Sequence, residues 1–128
     1  MKILGIGVDL IDNKRIKESI KSNKFKSRVY SSKELKLSEK TKNKVAFFSK
    51  RFAAKEAFSK ALGTGFSSNL NFKDIEITND DKGMPRYVEN KKIIKIIQKK
   101  YKIKKFNSFL SISDEKDYST AFAIIQSI

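Results

Sequence analysis

The chain opens on an alternation. Leu4, Ile6, Val8 and Leu10 share one face of an expected strand, and Ile3, Gly5, Gly7 and Asp9 share the other. The first face reads as core, and the second as nearly bare backbone that ends on a carboxylate. Asp12 or Asn13 caps a following helix that runs to about residue 22, with Ile16 and Ile20 on its apolar side. A short helical stretch at 24–28 follows. Another starts at Ser31 or Ser32 and carries Leu35 and Leu37. The longest helix is expected from about residue 43 to Gly63, a favourable helix terminator. At about 100° per residue its Phe47, Ala54, Phe58, Ala61 and Leu62 form one apolar stripe. Ser49, Ala53, Glu56, Lys60 and Gly63 fall on the roughly opposite stripe, so Glu56 and Lys60 are expected to point away from the core among small neighbours. After a loop over 66–72, residues 74–78 alternate as a strand, 79–83 turn, and 85–88 return. Ile93, Ile94, Ile97 and Tyr101 recur at helical spacing and predict a helix over 89–102 with lysines outside. Residues 106–112 alternate again, 114–117 turn, and 118–125 are apolar almost throughout, as in a central strand. The sum is one α+β domain over 1–128, with a mainly antiparallel sheet packed against a long central helix.

Composition narrows the chemistry. The 128 residues suffice for a single core. The formal net charge is +15, carried mostly by lysine, and such a surface attracts acidic macromolecules and phosphates. Cysteine is absent, which excludes disulfides and thiol chemistry and fits the cytoplasm. Histidine is absent too, so there is no Ser-His-Asp triad, no Cys-His pair and no imidazole ligand. Any metal must be held by oxygen, which favours a hard cation such as magnesium. Any proton transfer falls to carboxylate, lysine, tyrosine or metal-bound water. The apolar N-terminal run stops at Asp9, too short for a signal peptide or a membrane span.

Single motifs are weaker than their combination. Gly5 and Gly7 do not make a dinucleotide fingerprint, because Leu10 stands in the place of its third glycine. Alone, the two glycines mark tight helix–strand packing or the close approach of a ligand, with Asp9 as a cap or a functional carboxylate. Alone, Glu56 and Lys60 are a helix pair worth ~0.2–0.5 kcal/mol. The lysines at 91, 92, 95, 99, 100, 102, 104 and 105 read first as a solvated helix face and second as a nucleic-acid contact.

Together these segments resemble the holo-acyl-carrier-protein synthases, a family of phosphopantetheinyl transferases. Gly5-Ile6-Gly7-Val8-Asp9 with Lys14-Arg15-Ile16 matches that family's N-terminal signature. Arg51-Phe52-Ala53-Ala54-Lys55-Glu56-Ala57 through Lys60-Ala61-Leu62-Gly63-Thr64-Gly65 matches its second. The likeness runs from residue 3 to about 125. It implies a phosphopantetheinyl transferase-like fold that moves 4′-phosphopantetheine from coenzyme A to a serine of apo acyl carrier protein. The other product is adenosine 3′,5′-bisphosphate. It also implies that Asp9 and Glu56 bind Mg2+ and that Lys60 meets a coenzyme phosphate in catalysis. Arg51 and Lys55 would assist in coenzyme binding, and Gly63, Thr64 and Gly65 would approach the coenzyme; for Arg51 a structural role is about as strong an expectation. A water or a carboxylate near the metal would take the serine proton. The acidic carrier protein would dock on Lys14, Arg15, Lys17, Lys21, Lys24 and Arg28, and the protein would work as a homotrimer with its coenzyme site between subunits. Neither nucleic acid nor a membrane belongs to this picture; a basic, non-catalytic nucleic-acid-binding domain is the second reading. Asp114 follows Ser111-Ile112-Ser113 where the family usually has histidine, which implies weaker or metal-dependent coenzyme binding, or a nearby lysine as substitute.

Overall fold

The computed structural model describes residues 1–63 and 69–128. Strand β1 (Lys2–Asp12) leads through three short helices, α1 (Asn13–Ser19), α2 (Asn23–Val29) and α3 (Ser32–Ser38), into the long α4 (Lys44–Leu62). A 3₁₀ turn, Phe72–Asp74, precedes β2 (Ile77–Asn79) and β3 (Pro85–Tyr87); α5 (Lys91–Tyr101), β4 (Phe106–Asp114) and β5 (Tyr118–Ser127) follow. β1, β5 and β4 form an antiparallel sheet in that order, with the apolar C-terminal strand in the centre as its composition predicts. β2 and β3 pair antiparallel as a separate two-stranded ribbon. The expected strand over 74–78 begins only at Ile77, because the chain first closes the 3₁₀ turn, where the Asp74 carboxylate accepts from the Asn71 N–H at 2.8 Å.

Local chemistry sets the helix boundaries. Asp12, Ser22, Ser31, Asn43 and Asn90 each accept from a backbone N–H of the following first turn, satisfying donors that a helix start leaves free. At the other end of α4, Gly63 adopts φ 75° and donates to the Ser59 and Lys60 carbonyls. Lys100 of α5 donates to the carbonyl of Leu62, placing a cation at the negative end of α4.

α4 is the axis of the molecule. It lies on the β1–β5 side of the sheet and is enclosed by α1, α3 and β2, so the expected two-stripe helix is buried nearly all round. Ser49 and Ala53, expected on an outward stripe, are fully covered. That stripe opens only at Glu56, Lys60 and Gly63. Small residues on both partners explain the covering. A β-carbon on Gly5 would lie 1.9 Å from the Ala61 carbonyl oxygen, and one on Gly7 1.9 Å from that of Ala57. The glycines therefore serve backbone-to-backbone packing rather than access for a ligand.

This packing reverses the expected facing of β1. The Gly5–Gly7–Asp9 face lies against α4, while Ile6, Val8 and Leu10 stand 59%, 56% and 65% exposed. A register shift between Ile3 and Gly5 separates the strand's first residues from this alternation. Phe122 on β5 and Phe109 on β4 extend the exposed apolar face across the sheet. Among the described residues no helix is long and apolar enough to cross a membrane.

Candidate functional site

Two residues of strand advance about 6.6 Å and four residues of helix about 6 Å. Gly5 meets Ala61 and Gly7 meets Ala57, so the antiparallel step continues to bring Asp9 level with Ala53 and Glu56. Asp9 thus lies within the packed face of β1, between Gly7 and the buried Ile11, rather than on an open one, and its side chain keeps 14% exposure. Its carbonyl accepts from Thr120 Oγ1 at 2.8 Å, which fixes the strand on β5. Helical side chains lean toward the N-terminus, and Lys60 accordingly reaches back along α4. Its Nζ donates to the Val8 carbonyl at 2.9 Å and to Asp9 Oδ1 at 3.2 Å.

Glu56 completes this cluster. Partial burial, and then the neighbouring Asp9 charge, push its carboxyl above the ordinary range, while Lys60 and Arg15 pull the other way. Arg15 therefore belongs with the carboxylates as well as with the basic face of α1, a double position that its place in a lysine-rich helix did not reveal. Its guanidinium also stands 6.0 Å from the centre of the Phe52 ring. Two adjacent carboxylates and the Val8 carbonyl are hard oxygen donors of the kind that suit magnesium. Among the described residues no group of three or more acidic side chains gathers, so substrate or water oxygens would complete the coordination shell.

Arg51 and Lys55 lie one turn apart on another side of α4. Lys55 is wholly buried. Its Nζ donates to Glu34 Oε1 at 2.7 Å, to the Ile75 carbonyl at 2.7 Å and to the Phe72 carbonyl at 3.0 Å. Three protons are matched by three acceptors. Lys55 is thus a buried tie between α4, α3 and the start of β2, and the expectation that it helps bind coenzyme is corrected. Burial lowers its pKa and Glu34 opposes that shift. Glu34, also fully buried, accepts in addition from the Ser31 and Ile77 N–H groups.

Arg51 is buried with its guanidinium 3.8 Å from the centre of the Phe47 ring, and Nη2 donates to Asn79 Oδ1 at 3.0 Å. Unlike Lys55 it borders a surface cavity of about 160 Å³, shared with Lys50, Asn79, Gly83, Pro85 and Asp114. Asp114 thus lines the same cavity as Lys50 and Arg51. Gly63 caps α4; Thr64 and Gly65 lie outside the described residues.

The expected docking residues divide between two cavities, Lys14 and Lys17 beside the turn before β5 and Lys24 and Arg28 beside α2. Lys14, Arg15, Lys17, Lys21, Lys24 and Arg28 are all exposed on α1, α2 and the turn between them. Beside α2 a cavity of about 920 Å³ has Phe25, Val29 and Phe72 in its wall and Lys24, Arg28 and Lys73 around it. Phe25, Phe52 and Phe72 stack with centroids 6.3 and 5.4 Å apart, an apolar seam that the charge pattern concealed. Neither Asp9 nor Glu56 lines this cavity.

Comparison with known proteins identifies the family. Residues 5–123 match the 4′-phosphopantetheinyl transferase superfamily. The holo-[acyl-carrier-protein] synthase of Pelagibacter ubique is 60% identical over 126 residues, covering 98% of each chain. The crystal structure of the Neisseria meningitidis holo-[acyl-carrier-protein] synthase superposes with a TM-score of 0.87 at 35% identity, over 98% of this chain and 99% of that one. The Bacillus anthracis enzyme, solved in complex with CoA (3′,5′-ADP), gives 0.83 at 33% identity over the whole of both chains. By motif, fold and overall identity the chain belongs to the holo-acyl-carrier-protein synthases of the 4′-phosphopantetheinyl transferase superfamily.

Proposed function

We propose that this protein transfers 4′-phosphopantetheine from coenzyme A to a serine hydroxyl of apo acyl carrier protein and releases adenosine 3′,5′-bisphosphate. The observation that carries the reading is the meeting of Asp9, Glu56 and Lys60 on one backbone-to-backbone contact, in a chain so similar to synthases of that name. In the reaction the serine oxygen bonds to the phosphorus carrying pantetheine and the diphosphate bridge breaks. Asp9 and Glu56 would hold Mg2+, and Lys60 would meet the coenzyme diphosphate. Bound there, the magnesium would offset charge on the phosphate oxygens. Arg51, at its cavity, would serve the same coenzyme from a second position, and the proposed approach of Gly63, Thr64 and Gly65 to the coenzyme stands on the family resemblance. Asp114 makes that second position less favourable for a phosphate.

The carrier protein would dock on α1 and α2. Acidic side chains would face Lys14, Arg15, Lys17, Lys21, Lys24 and Arg28, and the Phe25–Phe72 cavity would supply apolar contact. The exposed apolar sheet supports a homotrimer with the coenzyme site between subunits. The α5 lysines favour this reading over nucleic-acid binding. Lys92 pairs with Asp74 at 2.7 Å and Lys100 caps α4, while Ile93 and Ile97 are buried, as a packed helix with a solvated face requires.

Mass spectrometry of apo carrier protein, incubated with coenzyme A, magnesium and this protein, tests the proposal. Addition of phosphopantetheine is expected, with loss of the product in Asp9→Asn, in Glu56→Gln and in excess chelator. Full transfer in both variants would remove the cation assignment. Retardation of generic RNA or DNA at physiological salt without transfer would favour the second reading.

A further inference from the structure

Lys60 is paired where a metal ligand would need to be free. Its Nζ makes two contacts in the cluster, 2.9 Å to the Val8 carbonyl and 3.2 Å to Asp9 Oδ1. The two partners differ in freedom. The Asp9 side chain is 14% exposed and belongs to a strand fixed on both sides, by β5 and by α4. Lys60 is 53% exposed, on a long flexible stem. An exposed ion pair of this kind is weak, so the ammonium is the partner that moves. α4 has no substitute for it nearby, because Lys55 is locked on Glu34 and two carbonyls.

We infer that Lys60 is a displaceable counter-ion of Asp9: its ammonium holds the position beside this carboxylate that a divalent cation needs, and it must swing away before the cation can bind there. This rests on the proposed cation role of Asp9 and Glu56. Two positive groups cannot share one carboxylate oxygen at contact distance without strong repulsion. Departure from Asp9 also delivers Lys60, unpaired, to the side from which an anionic diphosphate arrives. One residue thereby links the two events: cation entry creates the free ammonium that the phosphate meets. Lys60 acts here as a positioning residue that orders binding, in addition to its phosphate contact.

The test is binding of manganese(II) to the full chain without coenzyme, followed by the paramagnetic resonance of the free ion. Arg15→Met is the control for plain charge removal, because Arg15 acts on Glu56 but has no hydrogen bond to Asp9. Lys60→Met is expected to bind the ion about fivefold more tightly than the natural chain, the fold-change that matches release of one exposed ion pair. Arg15→Met should tighten it by less than about twofold, as expected for a screened charge. In the natural chain, saturating magnesium should raise the rate at which an amine-reactive reagent labels Lys60, measured by peptide mass spectrometry. Unchanged affinity in Lys60→Met, a gain no larger than that of Arg15→Met, or labelling of Lys60 that magnesium slows would each overturn displacement while leaving the cation site standing. Undiminished manganese binding in Asp9→Asn would overturn the cation site itself, and displacement with it.

Discussion

At the scale of single residues, charge placement separates function from structure. Glu56 binds its proton more tightly in the folded chain than in the unfolded one, because burial and Asp9 both disfavour its ionised form. That contribution favours folding below the ordinary carboxylate pKa of about 4.3 and is lost as pH rises through the raised value. Ionised Glu56 therefore costs stability at neutral pH. Glu56→Gln is expected to melt higher than the natural chain at pH 7, by no more than about 1 kcal/mol at this half-exposed and screened position. The gap should close as pH falls into the carboxylate range; a lower melting point at pH 7 would count against the site's electrostatics. Lys55 belongs to the opposite category. Lys55→Met leaves Glu34 buried with a lost partner and should cost about 3–5 kcal/mol in denaturant unfolding. Glu34→Gln combined with Lys55→Met should cost less than the two separate losses added together. An additive pair would show that the two groups do not act as one. In sequence, periodicity sets Lys60 beside Glu56 on the outward stripe and leaves Lys55 on neither stripe. The burial of Lys55 depends on Glu34 and Ile75, partners on other elements, so the helix pattern alone did not show it.

At the scale of elements, the contact of β1 with α4 decides the site. Gly7→Ala puts a methyl group 1.9 Å from the Ala57 oxygen, and backbone cannot yield as a side-chain end can. Overpacking of this kind costs about 1–3 kcal/mol. Transfer should fall by more than the unfolded fraction explains, since strand and helix part where they carry Asp9 and Glu56. Normal kcat/KM in a correctly folded variant would show that the spacing is not critical. Most elements were legible from periodicity: the long helix, its glycine end, the central C-terminal strand and α5 stand where the pattern predicts. The facing of β1 was not. Alternation shows that a strand has two faces, but does not show which one is covered. The deciding signal was split between Gly5 and Gly7 on one element and Ala57 and Ala61 on another, and it had meaning only once the two were paired.

At the scale of the whole molecule, the exposed apolar sheet face is where the proposed trimer is tested. Val8 of β1 and Phe122 of β5 are register partners on it. Phe122→Asp is expected to lower the mass seen by light scattering from a trimer toward one chain, and to reduce transfer while the helical circular dichroism persists. A fully active monomer of the natural chain would remove the shared-site proposal. Docking belongs to the same scale. Carrier association should slow steeply with salt, since surface charges are screened beyond about 8 Å at physiological ionic strength. Reversal of Lys17 and Lys21 to glutamate should lower the association rate far more than coenzyme affinity; a flat salt titration would place docking elsewhere. The basic residues of α1 and α2 were legible because they lie close together in sequence, whereas the Phe25–Phe52–Phe72 seam joins three separate segments. One tie sets a schedule for the chain. Asn13, the first residue of α1, donates through Nδ2 to the Glu115 and Lys116 carbonyls at 3.0 Å and accepts from Ser119 Oγ at 2.8 Å. Its own N–H donates to the Asp117 carbonyl at 2.8 Å. α1 is thus moored to the turn before the last strand. During synthesis from the N-terminus, α1 and β1 emerge early and meet α4 first, but the Asn13 hydrogen bonds to 115–119 and the β1–β5 ladder wait for the end of the chain. The seat of α1 is thus completed last, together with the central strand of the sheet.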